Sequence, residues 1–216
     1  MKRPRRITTT SYAVLGLLAV EEGTAYQLTK RMLRNYQFVW PRAQSKLFEE
    51  VKHLVDAGWA SAHPGRTGRR PHVLYRITAS GRRALARWVP TPSEPPSLSF
   101  EAALKVTYGD FADRRALLAQ LAEVEAQARA LLGFGRAIAE ECLTRPVTDR
   151  IHLQGLMWRF LWEHERAIAE WAAWAQAEVR AWRDTRPSSS GEKKRRALAH
   201  MAAAIGWRAP SRKPRS

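Results

Sequence analysis

The sequence predicts a mostly helical α+β protein, a basic helix-and-hairpin unit followed by a long-helix unit. Three observations carry that expectation. Between Tyr36 and Thr78 an amphipathic helix (Arg42 to Ala57) leads into a strand, Trp59 to His63, an arginine-bearing turn from Pro64 to Pro71, and a second strand, His72 to Ile77. Prolines at 90, 92, 95 and 96 then interrupt the chain. Beyond them, apolar residues recur every seven positions over nearly four heptads.

The first helix, Ser11 to Val20, is apolar nearly all round, as a buried central helix would be. Gly23 ends it, and Thr24 opens the next helix with Gln27 three residues on, the spacing of a capping box. That helix runs to about Arg34 with Tyr26, Leu28 and Met32 facing inward. Pro41 suits the first turn of a third helix, whose Leu47, Phe48, Val51, Leu54 and Val55 keep a helical period until Ala57-Gly58 stops it. Aromatic and β-branched residues make the two strands, and Thr78 caps a fourth helix in which Leu85, Trp88 and Val89 pack. Phe100 to Tyr108 forms a short helix, and Asp113 caps a long one. Pro146 ends that helix, and another covers Thr148 to Arg183. Pro187 to Gly191 reads as a flexible break, with one further helix near Arg196 to Ile205. The expected organisation is an arm (1–9), a first domain (10–89), a linker (90–97), a helical domain (98–185) and a basic flexible tail (186–216).

Charge divides the same way. The net charge is +17. Residues 1–90 hold 17 Lys/Arg against 5 Asp/Glu, residues 91–185 hold 11 against 14, and residues 186–216 hold 9 against 1. A polyanion partner for the first module follows, and a different role for the second. The single cysteine, Cys142, excludes an intrachain disulfide framework. No apolar run approaches the roughly 18 residues of a membrane span, so a cytoplasmic protein without membrane contact is expected. No Walker loop, dinucleotide fingerprint, nucleophile elbow or HExxH run occurs, and Cys142, His152 and His164 lack metal-ligand spacing. Neither enzyme activity, a metal nor a cofactor is expected.

With its apolar side occupied, the third helix turns Ser45, Glu49, Lys52 and Asp56 outward, with Gln44, Lys46 and His53 beside them. Gln and Arg make two-point hydrogen bonds to purine edges, and Ser and Lys reach phosphates. A plain solvated face fits this helix as well. The turn adds Arg66, Arg69 and Arg70 with no nearby acid, and three unpaired guanidinium groups are relieved by a polyanion. The candidate DNA-binding residues are therefore Arg42, Gln44, Ser45, Lys46, Lys52, Arg66, Arg69 and Arg70.

In the long helix, Leu117, Val124, Leu131 and Ile138 form one seven-residue series, and Leu121, Ala128, Gly135 and Cys142 a second offset by four. An antiparallel intrachain hairpin would satisfy this seam, and so would packing across a two-fold axis; both can hold together. Trp158 with Trp162 and Trp171 with Trp174 lie on shared helical faces. They suit a flat apolar or phenolic ligand, although most aromatic stripes on helices are packing.

Several runs in order resemble the PadR family of transcriptional regulators. They are Ser11-Tyr12-Ala13-Val14-Leu15-Gly16-Leu17-Leu18, Thr24-Ala25-Tyr26-Gln27-Leu28, Leu47-Phe48-Glu49-Glu50-Val51, Leu54-Val55-Asp56-Ala57-Gly58-Trp59, Gly68-Arg69-Arg70-Pro71 and Tyr75-Arg76-Ile77-Thr78-Ala79-Ser80-Gly81. The resemblance implies a winged helix-turn-helix domain followed by a helical dimerisation domain carrying Leu117, Leu121, Val124, Ala128, Leu131 and Ile138. It implies a homodimeric repressor released by a small aromatic or apolar effector, and two copies on a two-fold axis would read a pseudo-palindromic double-stranded operator. Phe48 stands where the family usually has tyrosine, and Val51 where it has leucine, so a phosphate contact from that tyrosine hydroxyl does not carry over. A non-specific architectural DNA-binding protein and a protein-interaction module with vestigial DNA binding remain the alternatives.

Overall fold

Thr8 begins the described fold. Its hydroxyl accepts from the Ser11 N–H at 3.3 Å while Ser11 Oγ accepts from the Thr8 N–H at 3.0 Å. This capping box starts α1 (Thr9–Val20) two residues earlier than the apolar run alone suggests. The computed structural model describes residues 6–41, 44–67, 70–187 and 191–206, with Thr67 and Arg70 described in backbone only. The chain divides into two units, Met1–Ser97 and Leu98–Ser216.

In the first unit α1 is the central element, with Val14, Leu15, Leu17 and Leu18 buried. Thr24 and Gln27 form the expected reciprocal cap on α2 (Ala25–Tyr36). Leu28 and Met32 of α2, and Leu47, Val51 and Leu54 of α3 (Gln44–Asp56), close over α1 in one core. Tyr26 is exposed, and its ring lies 4.9 Å beneath the Lys30 ammonium instead of in that core. At the end of α3, Gly58 has φ +71°, with its N–H on the Val55 carbonyl and the Trp59 N–H on that of Leu54. This left-handed cap turns the chain sharply into β1 (Ala60–Thr67).

β1 pairs antiparallel with β2 (Arg70–Ile77), in register from Ala60↔Ile77 to Thr67↔Arg70. The strands are longer than the sequence suggests, and Pro64, Arg66 and Pro71 belong to them instead of to the turn. The register explains why the prolines fit. Hydrogen-bonded and non-bonded pairs alternate, and a two-residue connection is closed by a bonded pair. Pro64↔Val73 and Arg66↔Pro71 then fall on non-bonded pairs, where a missing N–H costs nothing. Gly23 adds a third partner at the hairpin base, exchanging both backbone hydrogen bonds with Tyr75 at 3.2 and 3.0 Å. The carboxylate of Glu22 pairs with Arg76 beside it. In α4 (Ala79–Trp88), capped by Thr78, Trp88 stacks on Tyr12 with ring centroids 4.7 Å apart. Val89 is exposed and does not pack as expected, because the helix ends at Trp88.

The second unit opens with α5 (Glu101–Thr107) and a single 3-10 turn, and is dominated by α6 (Arg114–Thr144) and α7 (Ile151–Arg180). These two pack antiparallel against each other. Leu117 and Leu121 meet Ala175 and Val179 at one end. Further along, Gly135 admits Trp162, whose ring would lie 2.6 Å from a Cβ at that position. A polar link crosses the pair: Gln176 donates through Nε2 to Glu125 Oε2 at 2.6 Å and accepts at Oε1 from Arg180 at 2.9 Å, while Arg129 holds the same carboxylate. Sliding one helix along the other breaks this chain, so it sets the register. Arg114 donates to the Trp182 carbonyl at 2.7 Å, satisfying the end of α7.

Glu165 is buried on the α7 face of this pair. Burial holds its carboxyl above the usual range, opposed only by His164. A native acid that keeps its proton longer than the unfolded one adds stability below the unfolded pKa and loses it as pH rises through the folded one. Glu165→Gln should therefore stabilise the second unit at neutral pH and reduce the stability lost as pH rises above the ordinary glutamate range. Parallel pH–stability curves for the two proteins would contradict this.

In the basic tail, Gly191–Ala204 form α8, which starts five residues before the helix expected near Arg196 to Ile205 and is joined to Glu178 of α7 and to Asp184 by ion pairs. No helix of the described residues is long and apolar enough to cross a membrane.

Candidate nucleic-acid interface

The apolar stripe of α3 has an acid in it. Glu50 lies between Leu47 and Leu54 and is 3% exposed. Ser11 Oγ of α1 donates to Glu50 Oε2 at 2.6 Å, and His53 Nδ1 stands 3.7 Å from the same oxygen. A hydrogen bond to a charged acceptor contributes about 1.5–3 kcal/mol, and this one ties the rotation of α3 to the central helix. His53 is consequently buried and does not share the outer polar face expected for it. The spacing held a signal for Glu50, since 47, 50, 51 and 54 share one face.

What α3 presents outward follows from that lock. Gln44, Ser45, Lys46, Glu49, Lys52 and Asp56 are exposed. Lys46 lies 3.8 Å from Glu49, an exposed pair that holds neither side chain firmly. Phe48, on the same helix, is 37% exposed. Arg42 lies outside the described residues.

The hairpin follows at once from the Gly58 cap. Arg66 is exposed on β1, with no acidic partner among the described residues. Arg69 lies outside the described residues, and of Arg70 only the backbone, at the start of β2, is described. The His72 ring crosses over Gly65, whose missing Cβ would fall 2.5 Å from Nε2. A helix with exposed hydrogen-bonding side chains fits a major groove, and a cationic ribbon beside it meets phosphates.

That arrangement has known counterparts. Residues 14–87 match the transcriptional regulator PadR-like family. This N-terminal unit is a PadR-like domain. The chain is 24% identical over 146 residues to a probable transcriptional regulator of Mycobacterium tuberculosis, spanning 62% of this chain and 77% of that protein. It is 29% identical over 79 residues to the negative transcriptional regulator PadR of Bacillus subtilis, 36% of this chain and 43% of that protein's length. The structure of Bacillus subtilis PadR in complex with operator DNA superposes with a TM-score of 0.71 at 22% identity, covering 80% of this chain and 99% of that one. The same protein in complex with p-coumaric acid gives 0.65 at 22%, with the same coverage. At this identity the likeness is one of fold: a PadR-like winged helix followed by C-terminal helices.

Outside the PadR-like domain, the structure separates the expected residues. Leu117, Leu121 and Ala128 are buried, with Leu117 and Leu121 packed against α7 of the same chain, while Val124, Leu131 and Ile138 are half-buried. The four tryptophans do not form one wall. Trp158 and Trp162 stack with centroids 5.2 Å apart. Trp171 meets the edge of Phe100 at 5.5 Å, and Trp174 meets His200 of α8 at 5.1 Å.

Proposed function

We propose that the chain is a homodimeric, sequence-specific transcriptional repressor of the PadR type, acting in the cytoplasm on a pseudo-palindromic operator. One observation carries the reading most: α3, phased from inside by Ser11 and Glu50, holds Gln44, Ser45, Lys46 and Lys52 outward beside the Arg66 ribbon. Gln44 reads base edges, Ser45, Lys46 and Lys52 position the helix on phosphates, and Arg66 follows the backbone with Arg69 and Arg70 of the same hairpin. Arg42 at the helix approach completes the set. The repressor role rests on the name of the Bacillus relative, a negative regulator.

A single winged helix reads too few base pairs for genomic specificity, which favours two copies on a two-fold axis. Leu153, Leu156 and Phe160 of α7 supply a surface for that pairing. They are exposed at helical spacing on one side of the helix. Leu156→Glu should convert a dimer to a monomer by sedimentation with helicity retained. An unchanged sedimentation coefficient would remove this surface from the dimer. A small aromatic effector is supported by the p-coumaric acid complex of the fold relative and by the half-buried Trp158–Trp162 stack.

Selection of bound duplexes from a random pool tests the central reading. A two-fold consensus is the expected result; enrichment of no sequence would leave only non-specific DNA binding.

A further inference from the structure

The end of the second unit carries a charge surplus that the reading helix and hairpin do not use. Residues 186–216 hold 9 Lys/Arg against 1 Asp/Glu, while residues 91–185 are net acidic. Four of those cations, Lys193 to Arg196, are consecutive in the first half of α8. The helix is held in a defined orientation. Lys193 Nζ lies 3.3 Å from Asp184 Oδ1, and Arg196 Nη2 lies 3.0 and 3.1 Å from the two oxygens of Glu178. His200 Nε2 is 3.2 Å from Glu178 and its ring meets Trp174 edge-on. Positions 193, 196 and 200 share one helical face, so the acids within reach are all engaged on that side. Lys193 also draws the Asp184 carboxyl below its usual range.

Lys194 and Arg195 fall on the other side. Both are exposed, and neither has an acidic partner among the described residues. We propose that this outer cationic edge of α8 grips DNA phosphates, adding a sequence-independent contact to the one made by the PadR-like domain. The inference rests on the DNA-binding reading above. The distribution of side chains on α8 favours a nucleic-acid backbone over a lipid surface. Leu198, Met201 and Ile205 are exposed on the same outer side as Lys194. Charge and apolarity are thus separated along the helix axis, whereas a helix lying in a membrane interface separates them across it.

The test uses the full chain and its Lys194→Gln/Arg195→Gln variant, with helicity checked by circular dichroism. Affinity is measured against salt for a duplex selected from a random pool and for a random-sequence duplex of equal length. Two lost phosphate contacts should make the slope of log affinity on log salt shallower by about 1.8 on both duplexes. The loss of affinity between about 50 and 200 mM salt then becomes about tenfold smaller. An unchanged slope overturns the proposal. So does an unchanged slope accompanied by lost binding to phosphatidylglycerol vesicles, which would assign the edge to membranes. If the wild-type chain enriches no sequence, the operator reading fails on its own, and the slope on the random duplex still decides the role of α8.

Discussion

Gly81→Ala should lower the stability of the PadR-like domain by about 1–3 kcal/mol, the cost typical of forcing extra volume into a packed site. Gly81 stands in the first turn of α4, where a Cβ would fall 2.2 Å from the Trp59 carbonyl oxygen and 3.1 Å from Leu15 Cδ1. The first neighbour is backbone and cannot swing aside. That carbonyl also accepts the Thr78 N–H at 3.0 Å, and Thr78 Oγ1 donates to the Gly58 carbonyl at 2.8 Å. Moving Trp59 therefore disturbs the point where the end of α3, the start of β1 and the cap of α4 are fastened together. Urea unfolding read from tryptophan fluorescence measures the effect. A midpoint equal to wild type would mean that this junction yields more easily than its geometry implies.

Leu121→Ala should be more damaging, at about 2–5 kcal/mol, because it removes a large side chain from a fully enclosed site. Leu121 is 0% exposed and belongs to a small cluster with Leu117, Ala175 and Val179. Two of these four are valine or alanine, and the larger neighbours Trp171 and Trp182 pack only partly buried at the edge of the cluster. The loss should appear in the unfolding of the second unit, with the PadR-like domain retaining its own transition. A Leu121→Ala protein with wild-type unfolding but weakened self-association would return this residue to a subunit interface.

The contrast between the two units shows what a sequence can convey. The Thr24–Gln27 cap and the Asp113 cap were legible because each is complete within four residues. The polar face of α3 was legible because its apolar residues keep an uninterrupted period, and the same period placed Glu50 inside once the stripe is drawn to include it. His53 was misjudged because its burial depends on that acid. The hairpin was read as too short, since prolines suggest turns, and only the pairing register reveals that Pro64 and Pro71 occupy places where no N–H is needed. The heptad seam announced that one side of α6 is covered but not by what. A seven-residue repeat is the same for a neighbour in the chain and for a second copy. A helix near Arg196 to Ile205 follows from the local pattern, but its earlier start at Gly191 and its attachment to Glu178 and Asp184 depend on residues whose relevance no local pattern discloses.

The Ser11–Glu50 bond has one more consequence. Because α3 is indexed from its inner side, its outer residues are free to vary without altering the angle at which the helix is offered. In the proposed operator complex, specificity becomes an exchangeable label on a fixed mount. Substituting Gln44 should redirect the sequence selected from a random pool while half-site spacing stays constant, and a change at Ser11 should blur every position of the site together.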